Sequence, residues 1–279
     1  MTVTIIGVGL IGGSLAIALR EKGIANYIIG VDNNIKHAET ALKMKLVDEI
    51  KSLEDAISDS ELIILAIPVD AGEKVLPNVL DVIKNQTVID VGSTKERIIN
   101  AVKNHPRRAQ FVATHPMWGT EYSGPEAAVQ NAFVNKAVVI CNKNEIDDAA
   151  HNLISEMYKK LGMHVIYMNA TDHDLHAAYI SHISHITSFA LANTVLEKEK
   201  EEDTIFELAS GGFESTVRLA KSNPEMWVPI FMQNKENILD VLNEHITQLR
   251  KFKSCLEKEN VQYLGELIRH ANAIGKIIK

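Results

Sequence analysis

Cysteine is scarce in this chain: Cys141 and Cys255 are the two among 279 residues, far apart and in no redox or metal-binding spacing. That pattern fits a reducing compartment and two small packing residues. Excess positive charge is missing as well. Lys and Arg number 29 against 36 Asp and Glu, a formal net charge of -7, which argues against a large surface for neutralising nucleic-acid phosphates. No apolar stretch approaches the roughly 20 residues that span a bilayer. The N-terminus enters a strand-like run, TVTIIGVG, without the basic region and apolar core of a secretory signal. A cytoplasmic protein with neither nucleic-acid nor membrane partners is expected. Internal repeats and low-complexity linkers are also absent.

What is present suffices for a packed fold throughout: 46% of residues are hydrophobic and 23% charged, an ordinary globular balance. The length accommodates two compact units of about 100 to 200 residues each. From Met1 to Met168 short β-branched runs alternate with helical periodicity, the pattern of parallel strands joined by helices. Strands are read at VTIIGV, YIIGVD, ELIILAIP, TVIDVGS, FVATHP, AVVIC and HVIYM, several of them apolar without alternation, as in strands covered on both faces. After Asn169 strand signals cease. The remainder reads as helices broken near Glu201, at Ser210 to Gly212 and at Ser222 to Trp227. The charged run Leu196 to Asp203 reads as a solvated helix end or loop.

The stretch GVGLIGG places Gly7, Gly9 and Gly12 in a G-x-G-x-x-G pattern between a strand and a helix starting near Leu10. Gly7 permits the tight turn, Gly9 lets backbone approach a pyrophosphate, and Gly12 allows close helix packing; the helix N-terminus favours the phosphate charge. Leu10 and Ile11 belong to the same cofactor-facing loop. Asp32 closes the second strand twenty positions after Gly12, where a carboxylate would accept hydrogen bonds from a ribose and repel a 2'-phosphate. NAD is therefore expected over NADP, with a helix-capping role for Asp32 compatible with either. The expected fold is α/β: an N-terminal Rossmann-type dinucleotide-binding domain over residues 1–168 and a C-terminal all-helical domain over residues 169–279. A helix predicted over Thr171 to Glu197 is apolar nearly all round, which suits burial against a second copy of the chain and predicts a homodimer.

Ligands of open parallel sheets sit beyond the carboxyl ends of the strands. Three segments should open there: Ala66 to Asp70, where Pro68 turns the chain at the cofactor's edge; Asp90 to Glu96; and Thr114 to Glu121. Ser93 can cap the following helix with Glu96 as its capping-box partner, or face the nicotinamide. Pro116 disfavours a helical conformation at His115, so that imidazole projects from a strand end, either as a structural histidine or toward the cofactor cleft. His182 and His185 stand three apart on one helical face, and with His173 and His176 they place four of eleven histidines within thirteen positions. Packed core histidines or a ligand-facing polar patch account for them better than zinc, since no Cys or Glu stands at a compelling spacing. Arg218 lies in an otherwise apolar helical stretch, as a surface charge, an ion pair, or a fork for a substrate carboxylate.

In combination these motifs resemble the prephenate dehydrogenase family with its arogenate dehydrogenase relatives. The similarity covers almost the whole chain: the glycine loop Gly7 to Gly12, GSTK at Gly92 to Lys95, THPMWGTE at Thr114 to Glu121, SHISH at Ser181 to His185 and RLAKSNPEMW at Arg218 to Trp227. The resemblance implies oxidative decarboxylation of prephenate to 4-hydroxyphenylpyruvate, with NAD reduced and carbon dioxide released. It assigns His115 to the ring hydroxyl and its proton, and Ser93 to a place near that histidine and the nicotinamide. Arg218 falls to a substrate carboxylate, His185 to the substrate pocket, and Thr120 and Glu121 to its entrance. The family's helical domain is also its dimerisation unit. Two positions depart from the common pattern: Ser184 replaces a frequent Pro and Trp118 a smaller residue. A dedicated amino-acid-sensing domain is not expected after Lys258. Rival readings are an arogenate dehydrogenase, a two-domain 3-hydroxy acid dehydrogenase, which would use a helical lysine, and an NAD-holding sensor without turnover.

Overall fold

The computed structural model describes residues 1–200 and 205–277. The predicted break at Glu201 and the end of the charged run to Asp203 lie outside the described residues. The first part of the chain runs β1 (Thr2–Ile6), α1 (Leu10–Glu21), β2 (Tyr27–Val31), α2 (Ile35–Lys43), β3 (Glu49–Ile50), α3 (Leu53–Ser58), β4 (Leu62–Leu65), α4 (Val69–Val82), β5 (Thr87–Asp90), α5 (Glu96–Ala101), β6 (Phe111–Pro116), β7 (Ala137–Cys141), α6 (Asp148–Lys160) and β8 (His164–Met168). The strands form one sheet in the order β3-β2-β1-β4-β5-β6-β7-β8. Successive residues of a strand feed opposite faces: Leu62 and Ile64 of β4 enter one apolar core, Ile63 and Leu65 the other. Two buried faces explain the unbroken apolar runs read as strands.

Two features differ from the expectation of parallel strands joined by helices. The short β3 carries too few residues to leave a periodic signal. β7 pairs antiparallel to β6, with His115 opposite Val139, because the segment between them forms no crossover helix. That segment instead turns repeatedly, with left-handed backbone at Gly124, Asn131 and Asn135, and has a single 3-10 turn at Pro125–Ala127.

Helices follow: α7 (Ala170–Ala177), a π turn over Ala178–His182, α8 (Ile183–Glu199), α9 (Gly211–Val217), α10 (Pro224–Gln233), α11 (Lys235–Glu257) and α12 (Val261–Ala271). The helix predicted over Thr171 to Glu197 thus exists, with a π turn inserted around His182. The chain divides into two compact units, residues 1–234 and 235–279. The sheet and helices α7 to α10 share the first; α11 and α12 pack on each other in the second. Among the described residues no helix is long and apolar enough to cross a membrane.

Candidate active site

The sheet order reverses between β1 and β4: from β1 the chain proceeds to β2 on one side and later to β4 on the other. Strand ends at such a switch point open a crevice. Gly7, at φ 92°, makes the turn out of β1, and a Cβ there would meet the Ala66 carbonyl oxygen at 2.4 Å. At Gly12 a Cβ would lie 2.0 Å from the Gly7 carbonyl oxygen, whereas at Gly9 it would meet open space. The loop is thus closed behind and open in front. Gly9 precedes α1 with no side-chain cap, which leaves the first N–H groups of that helix for an anion.

The Asp32 carboxylate accepts from the N–H of Val8 at 3.0 Å and of Asn34 at 2.8 Å, tying the glycine loop to the end of β2. Asn34, not Asp32, caps α2. A cavity of about 510 Å³ opens here, lined by Gly7, Gly9, Leu10, Ile11, Asp32, Pro68 and Ser93, and also by Tyr122, Met226 and Ile230. Its size suits a cofactor site. Of the residues assigned to the cofactor from sequence, Gly12 alone stays off this wall, packed behind the loop.

The neighbouring strand ends are locked by buried polar contacts. Lys95, wholly buried, pairs with Asp90 at the end of β5 and donates to the Thr114 carbonyl at 2.7 Å. Thr114 Oγ1 contacts the Asp90 carbonyl and Tyr158 Oη at 2.6 and 2.7 Å. His115 follows on β6, buried, its Nδ1 2.8 Å from His173 Nε2. His173 Nδ1 lies 2.7 Å from the Asp174 carboxylate, which also accepts the N–H groups of Lys95 and Glu96 at 2.8 and 2.9 Å. The start of α5 is therefore capped by Asp174 from α7. Of the two roles the sequence left open for Ser93, the capping box is not formed: α5 has no local side-chain cap, and Ser93 lines the cavity.

Burial holds the His115 imidazole well below its ordinary pKa, and the neighbouring His173, Lys95 and His182 add to that effect. An ordinary value near 6.5, which the bare sequence allows, does not apply. Asn234 Nδ2 donates to the Asp174 carbonyl at 2.6 Å and contacts His182 Nδ1 at 3.1 Å. Burial pushes His182 down to about 4.

The remaining predicted residues continue from there. His185 stacks on Trp227 with ring centroids 3.5 Å apart, and Trp227 meets His182 edge-on at 6.0 Å. His185 Nδ1 donates to the Ser181 carbonyl at 3.1 Å. Burial, and secondarily the Arg218 charge, lower its pKa. Arg218 donates to Glu121 at 2.8 Å, with 52% of its side chain exposed, so without substrate it is the ion pair that the sequence left open. Thr120 Oγ1 accepts the Tyr122 N–H at 3.3 Å, shaping the loop that carries Glu121. His176 is exposed. Trp118 packs edge-on to Phe133 at 5.5 Å against the core of the sheet, a structural place. Neither His115 nor Arg218 lines the cofactor cavity; His115 belongs to the adjoining polar chain, and Arg218 pairs with Glu121. Sequence reasoning missed Lys95, Asp174 and Asn234 and left His173 in an undivided cluster. The contacts that join these residues into one chain, Lys95 to Asp174, His173 to His115 and Asn234 to His182, span 79, 58 and 52 positions, which no local spacing marks.

A dinucleotide-type crevice with a buried imidazole at the adjoining strand end, and histidines and an arginine supplied by helices, defines a dinucleotide-linked dehydrogenase with a helical C-terminal part. Two family models divide the chain between them. The prephenate dehydrogenase nucleotide-binding domain matches residues 15–167 and the prephenate dehydrogenase dimerization domain residues 169–270. The chain belongs to the prephenate dehydrogenase family, and is an NAD-dependent oxidoreductase. It is 32% identical to the prephenate dehydrogenase of Bacillus subtilis, over 97% of this chain and 74% of that one. It is 28% identical to the cyclohexadienyl dehydrogenase of Zymomonas mobilis, over 99% and 96%. Its fold matches the crystal structure of the prephenate dehydrogenase from A. aeolicus in complex with hydroxyphenyl propionate and NAD+, with TM-score 0.91, 29% identity, and 100% and 98% coverage.

Proposed function

We propose that this protein converts prephenate to 4-hydroxyphenylpyruvate with NAD as cofactor, in tyrosine biosynthesis, with His115 as general base. The observation that carries the assignment is His115 itself: an imidazole held neutral by burial at the end of β6, next to the strand end whose Ser93 lines the cofactor cavity. When bound, NAD supplies the hydride acceptor. As the hydroxyl-bearing carbon becomes electron-poor, a neutral imidazole within about 3 Å takes the hydroxyl proton. Loss of carbon dioxide breaks the ring–carboxylate bond, whose electron pair restores the aromatic ring. His115 returns the proton to the resulting phenolate. Most of the driving force is in the substrate, so the protein's task is to align the partners and exclude water.

In this reading Gly7, Gly9, Leu10, Ile11, Gly12, Asp32, Pro68 and Ser93 hold the dinucleotide. Arg218 takes a substrate carboxylate in exchange for Glu121, with His185, His182 and Thr120 around it. The domain assignment is 1–168 for cofactor binding and 169–279 for substrate binding and dimerisation, and the enzyme works in the cytoplasm as a homodimer. NADH absorbance followed in a mixture of protein, NAD and prephenate tests the activity. Steady NADH formation is expected, and none would overturn the assignment. Substituting arogenate tests the substrate, since faster turnover of arogenate would move the chain to that neighbouring specificity.

A further inference from the structure

We propose that His173 and Asp174 are positioning residues for His115, fixing the imidazole in the tautomer that carries its hydrogen on Nδ1 and leaves Nε2 as the free acceptor. The inference rests on His115 as base and names what makes it one. The Asp174 carboxylate accepts two backbone N–H groups, from Lys95 and Glu96, so it stands there as an acceptor and His173 Nδ1 must donate to it. A neutral imidazole has one N–H. With that hydrogen on Nδ1, His173 Nε2 presents a lone pair, and His115 Nδ1 at 2.8 Å must donate to it. The hydrogen of neutral His115 is then spent on Nδ1, and Nε2 is left basic.

The converse arrangement, with His173 doubly protonated, would make His115 Nδ1 an acceptor and put its hydrogen on Nε2, where it could take no proton from a substrate. The groups facing the pair are Lys95 from the loop after β5 and His182 from the π turn, both named by their effect on His115. Once His115 accepts a proton, its Nδ1–H points through His173 to the Asp174 carboxylate, which offsets the buried positive charge. The pair is itself held firmly. Asn234 grips the Asp174 carbonyl, and Asn169 caps α7 through the Asp172 N–H.

The tautomer can be read directly in the full-length protein by nitrogen-15 NMR of labelled histidines, without substrate. His115 is expected as the Nδ1–H form at neutral pH, and an Nε2–H form would overturn the proposal outright. His173→Leu removes the acceptor and should lower kcat about 10²-fold, against up to about 10⁴ when the orienting carboxylate of a Ser-His-Asp triad is lost. The Michaelis constant for NAD should stay within about twofold. His173→Gln, whose amide oxygen can still accept from Nδ1, should restore the tautomer and recover about tenfold of the lost kcat. Equal loss in both variants with the His115 tautomer unchanged would make the pair mere packing. Because the tautomer is measured without turnover, it stands or falls separately from the role of His115 as base.

Discussion

At the scale of the residue, the histidine at the end of β6 does two things at once. It is extended because proline follows it, and it is neutral because it is buried among positive and potentially positive neighbours. His115→Asn keeps the shape and removes the base, so turnover should fall by about 10² to 10⁴, roughly 3 to 5 kcal/mol, with NAD affinity retained. Steady-state rates alongside an NAD titration check this, and near-wild-type turnover would remove His115 from the chemistry. The pH dependence follows from the sign of the shift. The base must be unprotonated, and a lowered pKa keeps it so into more acidic solution. The acid limb of kcat/KM should therefore lie below the value of about 6.5 expected of a free imidazole. A pH–rate profile with its acid midpoint at or above that value would contradict the buried environment.

At the scale of the element, the glycine loop works because two backbone segments touch where any side chain would separate them. Gly12→Ala puts a methyl 2.0 Å from the Gly7 carbonyl oxygen, a contact with backbone that no rotamer relieves. α1 must then shift away from the loop, and NAD binding should weaken at least about tenfold, which calorimetric titration would measure. This loop was legible from sequence because its three glycines act within six positions. Seven strands were legible for a similar reason, each carrying its own apolar run. The two-residue β3 has no such run, and the antiparallel turn into β7 depends on left-handed residues that no period announces. The site was half legible. His115, Ser93 and Arg218 stand in local motifs, but the cap of α5 was not legible because its carboxylate, Asp174, arrives from 78 positions away. A separation of 58 positions hid the link from His173 to His115, although both residues were in view.

At the scale of the whole molecule, neutral buried histidines tie folding to pH. His182 is ordinary in the unfolded chain, near 6.5, and pushed to about 4 in the fold. Between those values the unfolded chain binds the extra proton, so stability is full above 6.5 and drains as pH falls. From pH 6.5 to 5 the loss from His182 should be about 1.5 kcal/mol, and His115 acts in the same direction. Urea unfolding at the two pH values measures it, and His182→Gln should flatten the slope. Association follows from what a single chain leaves uncovered. In α8, among the described residues, Ser188 is the buried one, while Ile180 in the preceding π turn is 65% exposed and Leu196 49%. In the second unit Val261 is 78% and Ile268 48% exposed. Exposed apolar side chains occur in both units, and residues 169–270 match a dimerization domain, so association of two copies is predicted. Light scattering at micromolar concentration should give twice the 30.9 kDa chain mass. Replacing Ile180 and Leu196 with Asp should shift the particle toward the single-chain mass if this helical stretch forms the contact, and a wild-type protein already at that mass would leave the exposed side chains without a partner.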